Sequence, residues 1–283
     1  LLFLRPRSGG AYLDATVGGG GHAEAILEES RPHGRLLGLD RDPEALARAG
    51  QRLGRFRSRA LLVKGSFADL SRHLDGVGWR QVSGAVADLG LSSLQLADTG
   101  RGFSFSGEAP LDMRFDPDSK TTAADLVNEL PERELGDLIF RYGEERRSRA
   151  IARRIVARRP LATTTELRRA VVSATGPRRS GGVDPATRTF QALRIAVNRE
   201  LEALTAFLDQ ALERLEPGGR LVVVSYHSLE DRAVKWAFRD SARRTSPPRF
   251  HVLTSKPVRP DREEIGRNRR ARSAKLRCLE RIA

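Results

Sequence analysis

Four consecutive glycines, Gly18–Gly21, follow the short apolar run Ala11–Ala15 and precede a segment with helical character. Glycine lets the backbone turn sharply and come close to a ligand, because it has no Cβ atom. With Ala23, Gly18 and Gly20 match the G-x-G-x-x-G/A spacing found between a strand and a helix in doubly wound sheets. A turn with a purely structural role would need the same glycines, so the pattern alone predicts only a strand, a tight loop and a helix.

The strand-then-helix order recurs along the chain, which is typical of a doubly wound α/β sheet. Further apolar runs of strand length are Arg35–Asp40, Ala60–Lys64, Val82–Asp88, Arg220–Tyr226, Phe250–Thr254 and Ala274–Ile282. The first three alternate with helical segments, and the last three come after a long interruption.

That interruption, residues 102–185, is rich in charge and contains no run with strand character. Helices are predicted there at Thr122–Leu130, Glu132–Tyr142 and Arg146–Arg158. A helical segment of this size inside an α/β pattern predicts an insertion into the sheet domain.

Apolar residues then recur every three or four positions from Phe190 to Leu215, which predicts one long helix with a single apolar face. The α/β pattern returns after it. We therefore expect one sheet domain made of residues 1–101 and 186–283, split by the helical insertion of residues 102–185.

The chain is strongly basic, with 50 Lys and Arg against 36 Asp and Glu and a net charge of +14. Such a charge favours a polyanionic partner, above all a nucleic acid. Only five of the basic residues are lysines, so a GC-rich genome is an alternative source of part of the arginine content.

Arginines concentrate in the predicted insertion, at Arg141, Arg146, Arg147, Arg149, Arg153, Arg154, Arg158 and Arg159. On a helix they form a cationic surface able to follow phosphates, and Arg146, Arg153 and Arg154 are the predicted nucleic-acid contacts. A solvated face without a partner is the alternative. A second basic run near the C-terminus comprises Arg267, Arg269, Arg270, Arg272, Lys275 and Arg277.

Some classes of protein are disfavoured by what the sequence lacks. No stretch approaches the ~18 consecutive apolar residues that a membrane helix needs. Cys278 is the only cysteine, which excludes an intrachain disulfide and fits a reducing cytoplasm. Leu1–Leu4 is too short for a secretory signal. Because the sequence does not start with Met, we expect a fragment that lacks its native N-terminus.

Acidic residues end two of the predicted strands beside the glycines. Asp14 stands just before the loop, where its carboxylate suits the ammonium and sulfonium groups of S-adenosylmethionine. Asp40 lies 20 residues beyond Gly20, a position that suits a carboxylate binding both hydroxyls of a ribose. The alternative for Asp40 is a helix N-cap, although Asp42 fits that role better.

A nicotinamide-dependent dehydrogenase is the rival enzyme class for these features. A dinucleotide site needs a helix N-terminus free to receive pyrophosphate. An acid directly upstream of the glycines is instead a better partner for a cation. The turn Pro217–Gly219 before a late strand is also habitual in class I methyltransferases. S-adenosylmethionine is therefore the predicted cofactor.

Polar residues follow the fourth and fifth predicted strands, at the edge where open α/β sheets hold their ligands. Asp88, Ser92, Ser93 and Gln95 come after the fourth strand, where a reacting amine and a methyl donor are expected to meet. An ordinary β–α loop is the alternative. After the fifth strand, His227 is expected in a polar wall of the substrate pocket.

The residues around His227 also allow simpler roles. Ser228 is predicted to cap the next helix, with Asp231 in capping-box spacing. His227 and Glu230 have neither the spacing nor the number of ligands that a zinc site requires, so no metal is predicted.

Eight sequence segments resemble the ribosomal RNA small-subunit methyltransferase H family. They are DATVGGGGHAEAIL, LDRDPEAL, ADLGLSSLQLADTGRGFSF, PLDMRFDP, YGEERRSRAIARRIV, PATRTFQALRIAVNRELEAL, PGGRLVVVSYHSLEDRAVK and NRRARSAKLR. They run from about residue 11 to 282, and several are long and unusual, so the resemblance is specific. The H-x-P-V-L segment usual at the family's N-terminus is absent here.

The resemblance implies a class I, Rossmann-like fold and methylation of the exocyclic N4 of one cytidine in the decoding region of 16S rRNA. By matching position, it implies cofactor contacts at Gly20, Gly21, His22, Asp40, Phe67, Asp88 and Gln95. It also implies small-subunit rRNA or the ribosomal subunit as partner and a cytoplasmic location. A homodimer is left open.

The residues favour direct transfer onto nitrogen. Methylation at carbon-5 of cytosine needs a cysteine nucleophile, and Cys278 lies far along the chain from every pocket segment. Asp88 or a backbone carbonyl would accept the N–H of the amine, with Ser92 and His227 as further catalytic candidates and Tyr226 as a candidate for base stacking. RNA bases must be splayed out to be modified, so the insertion is the expected RNA clamp. A non-catalytic RNA-binding protein that retains the fold is the alternative.

Overall fold

The computed structural model describes residues 1–92, 95–96, 98, 100–104, 107–177 and 183–283. The chain divides into a sheet unit, Leu1–Gly90 with Leu201–Ala283, and a helical unit, Leu91–Glu200. The predicted α/β domain interrupted by a helical insertion is confirmed. The packing divides the chain at residues 91 and 200, whereas the sequence pattern puts the boundaries at 102 and 185.

The sheet unit is built on seven strands: β1 (Ala11–Asp14), β2 (Arg35–Asp40), β3 (Ala60–Lys64), β4 (Val82–Asp88), β5 (Leu215–Ser225), β6 (Phe250–Val252) and β7 (Lys275–Arg281). Their order is β3-β2-β1-β4-β5-β7-β6. Strands β1 to β5 are parallel, and β7 is antiparallel to both of its neighbours. A fully parallel dinucleotide-binding sheet has the order 3-2-1-4-5-6, so the inserted antiparallel β7 sets this sheet apart.

The helices, in chain order, are α1 (Gly21–Glu29), α2 (Pro43–Leu53), α3 (Leu70–Gly76), α4 (Ala123–Glu129), α5 (Glu132–Gly143), α6 (Ser148–Val156), α7 (Thr164–Thr175), α8 (Thr187–Asn198), α9 (Glu200–Arg214), α10 (Ser228–Arg243) and α11 (Arg262–Arg267). Short 3-10 helices occupy Gly54–Arg59, Phe67–Asp69 and Arg269–Ser273. Among the described residues, no helix combines the length and apolar character needed to cross a bilayer.

Both faces of the sheet are buried. Successive side chains of a strand point to opposite faces, so neighbouring residues contribute to different cores. Leu37 of β2 packs with Phe207 and Phe238 on one face. Its neighbour Leu36 packs with Ile26 on the other face. This two-sided burial explains why the strands appear in the sequence as nearly continuous apolar runs.

The helical unit has a core of its own, and α4, α5 and α6 match the three helices predicted for it. Helix α7 is a helix that the sequence reasoning missed. Its signal was present as a capping box, in which Thr163 accepts a hydrogen bond from the Glu166 N–H and the Glu166 carboxylate accepts one from the Thr163 N–H.

The prediction of one long helix from Phe190 to Leu215 is wrong. The segment forms α8 and α9, which are separated at Arg199, a residue in the left-handed region with φ 52°. Leu193 on α8 packs into the core of the helical unit, and Leu208 on α9 packs into the core of the sheet unit. The periodic apolar residues between Phe190 and Leu215 therefore pack into two different cores.

Strand β5 also begins earlier than predicted, at Leu215 rather than Arg220. The strand contains the turn around Gly218, which has φ +80°. Because of this turn, the register between β5 and β4 shifts between Val82 and Gly84. The strand still ends at Ser225, on the edge where β4 ends at Asp88.

Candidate functional site

The glycine loop lies at the carboxyl edge of the sheet, fixed between two strand ends. The Ala15 N–H donates to the Val86 carbonyl at 2.8 Å, and the Val17 N–H donates to the Leu39 carbonyl at 2.8 Å. Both partners are on strands that flank β1. The loop is therefore held in place by the sheet itself.

Two glycines of the loop adopt conformations that favour this residue type. Gly18 has φ +50° and Gly20 has φ +83°, in the left-handed region. A Cβ atom on Gly20 would lie 3.3 Å from the Ala49 Cα, which leaves little space for a side chain. Gly21 begins α1, so the loop leads directly into a helix N-terminus.

Asp40 ends β2 and fastens the loop from the side. Its Oδ2 accepts from the Gly18 N–H at 2.9 Å and its Oδ1 accepts from the Asp42 N–H at 3.0 Å. The N-cap of α2 is Asp42, which accepts from the Glu44 N–H, so Asp40 is not the cap. Burial raises the pKa of Asp40 above its ordinary value, and the backbone donors oppose that rise.

Phe67 follows β3 and begins a 3-10 helix. Its ring packs edge-on against Phe207, with centroids 5.3 Å apart and planes at 67°. The Phe67 side chain is only partly buried. It follows β3 at the same carboxyl edge of the sheet as the glycine loop.

Asp14, at the end of β1, is fully buried. Its Oδ1 accepts from the Thr16 N–H at 3.1 Å, and its Oδ2 has no hydrogen-bond partner among the described residues. Burial raises the pKa of Asp14 to about 6; His22 lowers it, and the carboxylates of Asp88 and Asp40 add to the rise. Because no part of Asp14 is exposed, its charge acts on the loop through space rather than by contact with a ligand.

Asp88, at the end of β4, has partners on both carboxylate oxygens. Its Oδ1 accepts from the Tyr226 hydroxyl at 2.9 Å, and its Oδ2 lies 4.0 Å from the His22 Nδ1. The Asp88 N–H donates to the Thr16 Oγ1 at 2.7 Å, which ties β4 to the glycine loop. The side chain keeps 31% of its surface exposed, and burial raises its pKa. Sequence reasoning missed this role of Tyr226.

His227 is the N-cap of α10, which corrects the prediction that Ser228 caps this helix with Asp231. The His227 Nδ1 accepts from the Glu230 N–H, and the Glu230 carboxylate accepts from the N–H groups of Tyr226 and His227. The His227 side chain is 9% exposed. Its geometry is that of a structural cap, and its catalytic role stays a prediction.

Ser92 and Gln95 belong to the helical unit. The Ser92 N–H donates to the Gln95 Oε1 at 3.0 Å, and the Gln95 N–H donates to the Ser92 Oγ at 3.1 Å. This reciprocal pair fixes the local turn. The roles predicted for both stay predictions, and Ser93 lies outside the described residues.

The arginines of the helical unit fall into two groups. Arg159 donates to the Val127 carbonyl at the end of α4, and Arg149 pairs with Asp137 at 2.5 Å. These two arginines stabilise the unit. Arg146 and Arg154 are exposed and have no side-chain partner within the described part of the chain, and Arg153 has only Glu132 at 3.7 Å.

Comparison with known proteins decides the family. The sequence profile of the MraW methylase family matches residues 1–282. The chain belongs to the MraW methylase family. It is 54% identical to the ribosomal RNA small subunit methyltransferase H of Thermomicrobium roseum, covering 100% of this chain and 91% of that one. Proteins of the same name from Sorangium cellulosum (53% identical, 100% and 88% covered) and Syntrophobacter fumaroxidans (52%, 99% and 93%) are similarly close.

Membership of the MraW methylase family settles the enzyme class. The resemblance found in the sequence is confirmed, and the dehydrogenase alternative is wrong. S-adenosylmethionine is the methyl donor of the family, which confirms the predicted cofactor. The edge of the sheet fits a cation: the buried Asp14 carboxylate has an oxygen without a partner among the described residues, and the Asp88 side chain keeps 31% of its surface exposed.

The single cysteine of this MraW family member is a core residue. Cys278 lies on β7, fully buried, and its N–H donates to the Thr254 Oγ1 at 2.8 Å. Burial raises the pKa of the thiol to about 12. A thiol that stays protonated is a poor nucleophile, so its chemistry agrees with the structural role predicted from the sequence.

We predict that Asp14→Asn stabilises the ligand-free protein at high pH. The folded-state pKa of about 6 lies above the ordinary 3.8, so the parent loses stability as the pH rises from about 4 to 6, and the loss is complete above that range. The expected gain is about 2–3 kcal/mol at pH 8, at roughly 1.4 kcal/mol per pKa unit, and it vanishes near pH 4. Urea unfolding of parent and variant at both pH values measures it.

Asp69→Asn serves as the matched control, because Asp69 is an exposed carboxylate whose side chain makes no cap hydrogen bond. It is expected to change stability equally little at both pH values. An Asp14→Asn variant no more stable than the parent at pH 8 would contradict the prediction.

Proposed function

We propose that the chain transfers a methyl group from S-adenosylmethionine to the exocyclic N4 of a cytidine in the decoding region of small-subunit rRNA. The observation that carries the proposal is the meeting of Asp88, Tyr226 and His22 beside the glycine loop of a methylase. The relatives' name, ribosomal RNA small subunit methyltransferase H, supports the substrate class. The net charge of +14 supports an RNA partner. A cytoplasmic location follows from that substrate.

The methyl donor is proposed to lie on the glycine loop. Gly20 and Gly21 would form the turn of the backbone against which the donor lies, with Gly20 in the left-handed region and Gly21 at the start of α1. Asp40 would use its remaining acceptor capacity for the ribose hydroxyls, since a carboxylate has about four lone-pair positions and the backbone donors are those of Gly18, Arg41 and Asp42. Phe67 would pack against the adenine base of the donor. Asp14 would favour the positive charges of the donor through space.

The acceptor amine needs help, because its lone pair is delocalised into the cytosine ring. S-adenosylmethionine supplies the electrophilic methyl carbon. Asp88 would accept a hydrogen bond from the N4 amino group and then take the proton that nitrogen must lose once the new bond forms. Its raised pKa makes Asp88 a better proton acceptor than an ordinary carboxylate.

Tyr226 and His22 are proposed to position Asp88. The Tyr226 hydroxyl fixes Oδ1, which leaves Oδ2, on the side of His22, as the oxygen directed to the amine. Holding a reacting group in one orientation supplies much of the acceleration in a transfer between two bound molecules. Ser92 and Gln95 follow Asp88 in sequence, and their roles stay predictions.

The helical unit is proposed to supply much of the RNA affinity. Arg146 and Arg154 are exposed cations without an acidic partner among the described residues, and Arg153 is held only loosely. Phosphate groups are their natural partners. Arg159 is excluded from this role because its guanidinium already binds backbone carbonyls.

The decisive experiment is in vitro methylation with mass spectrometry of the digested RNA. Small-subunit rRNA from cells lacking the gene, both free and as assembled subunits, is incubated with the protein and S-adenosylmethionine. We expect N4-methylcytidine at a single position of the decoding region. Formation of 5-methylcytidine, or of no methylated nucleoside with either RNA, would contradict the proposal.

We predict that Asp88→Asn lowers turnover about 100-fold, the size typical of losing a group that moves a proton, while RNA and donor affinities stay close to those of the parent. Tyr226→Phe removes one hydrogen bond and keeps the ring, so we expect a loss of several-fold in kcat with little change in KM. Single-turnover kinetics separate the two effects. Turnover of Asp88→Asn within threefold of the parent would show that Asp88 does not act at the transfer step.

We also predict that the triple change Arg146→Ala, Arg153→Ala and Arg154→Ala flattens the salt dependence of RNA binding by about two units. Each phosphate contact contributes roughly 0.7–0.9 to the slope of log K against log salt. Binding is measured between low and moderate salt, and donor affinity is measured alongside, with no change expected.

Arg48, Arg72 and Arg80 provide a charge-matched control, because all three are exposed and lie in the sheet unit. Their replacement by Ala removes the same charge and is expected to leave the slope nearly unchanged. Equal slopes for the parent and the first triple variant would place the clamp elsewhere.

A further inference from the structure

Helix α10 carries an aromatic and basic stripe on its outer face. Arg232, Trp236, Arg239 and Arg243 follow one another at spacings of four, three and four residues, which puts them on one side of a helix. We call these four residues the Trp236 stripe. From first to last it is about 16 Å long, at roughly 1.5 Å per residue.

Trp236 is not needed by the core. Its side chain is 48% exposed, whereas Val234 and Phe238 of the same helix supply the buried contacts. The other tryptophan, Trp79, is only 7% exposed and belongs to the core of the sheet unit. Tryptophan is enriched at interfaces, where its apolar ring and its N–H group both find partners.

Cations flank the exposed ring. The Lys235 Nζ lies 5.2 Å and the Arg239 Cζ 5.1 Å from the centroid of the Trp236 ring. Both contacts are in the range of cation–π interactions, which hold the two charges beside the ring. An exposed aromatic ring in contact with two cations matches an RNA base and its phosphate, and it disfavours a basic or purely apolar partner.

The charge distribution of the chain favours the same partner. Residues 239–283 contain 14 Lys and Arg and five Asp and Glu, so this stretch carries +9 of the net +14. The first residue of this stretch, Arg239, also belongs to the Trp236 stripe. Helix α10 itself starts at Ser228, two residues after Tyr226, whose hydroxyl binds Asp88. The helix that carries the stripe therefore begins at the carboxyl edge of the sheet, where the acceptor base is expected.

We propose that the Trp236 stripe binds a single-stranded RNA segment next to the target nucleotide. One unpaired base stacks on Trp236, and neighbouring phosphates pair with Arg239 and Arg243. This inference rests on the proposed function, because it assumes that the substrate is RNA. It adds a second RNA surface, on the sheet unit, to the one proposed for the helical unit.

Intrinsic fluorescence tests the stacking directly, because the chain has only two tryptophans. Titration with single-stranded oligonucleotides of the target region is expected to quench the emission of the parent. Trp236→Phe emits from Trp79 alone, so its emission is expected to stay constant while RNA still binds. Trp236→Ala is expected to weaken binding about tenfold, since base–aromatic stacking is worth ~1–3 kcal/mol, whereas Trp236→Phe keeps most of the affinity.

Three further measurements separate the outcomes. Arg239→Ala with Arg243→Ala is expected to lower the salt slope by about 1.5 units, and S-adenosylmethionine affinity is expected to stay unchanged in every variant. RNA binding of normal affinity without quenching in the parent overturns the proposal and leaves the proposed function standing. A Trp236→Ala variant that changes sedimentation but not RNA affinity also overturns it, in favour of self-association. Absence of RNA binding by the parent overturns both.

Discussion

Desolvated negative charge at the carboxyl edge of the sheet is the constraint on which the site depends. Asp14, Asp40 and Asp88 end three adjacent strands, and burial raises the pKa of each of them. Backbone N–H donors from the glycine loop hold the first two, and a phenol holds the third. The His22 Nδ1 lies 4.0 Å from the Asp88 Oδ2. The ionised carboxylates cost the ligand-free protein stability, and the positive charge of a methyl donor bound at the proposed site would offset that cost.

Much of this edge was predictable, because parallel strands bring their carboxyl ends together and the acids follow apolar runs that are easy to recognise. Tertiary contacts decided the rest. The apolar stripe from Phe190 to Leu215 has helical periodicity throughout, but periodicity does not tell which core each turn contacts. The break at Arg199 requires a left-handed arginine, which has no sequence signal. His227 caps α10 although histidine is not a usual capping residue, so Ser228 was the natural but wrong choice.

The arginines show the same limit of prediction from local sequence. In the sequence, the arginines between 141 and 159 form one cluster. In the fold, Arg159 reaches back 32 residues to a carbonyl of α4 and Arg149 reaches back 12 residues to Asp137. Such distant partners are invisible in local spacing. The arginines proposed to contact RNA, Arg146 and Arg154 together with those of the Trp236 stripe, are a smaller and more specific set than composition suggested.

The strand order also governs how the protein can fold during synthesis. Strand β7 is the last strand in the chain, yet it lies between β5 and β6. The helical unit, continuous from Leu91 to Glu200, has its own core and can form as soon as it emerges. Meanwhile β4 presents an open edge, and pairing with β5 must wait for more than a hundred further residues. The apolar surface of the first four strands therefore stays uncovered on the β4 side until the last third of the chain has been made.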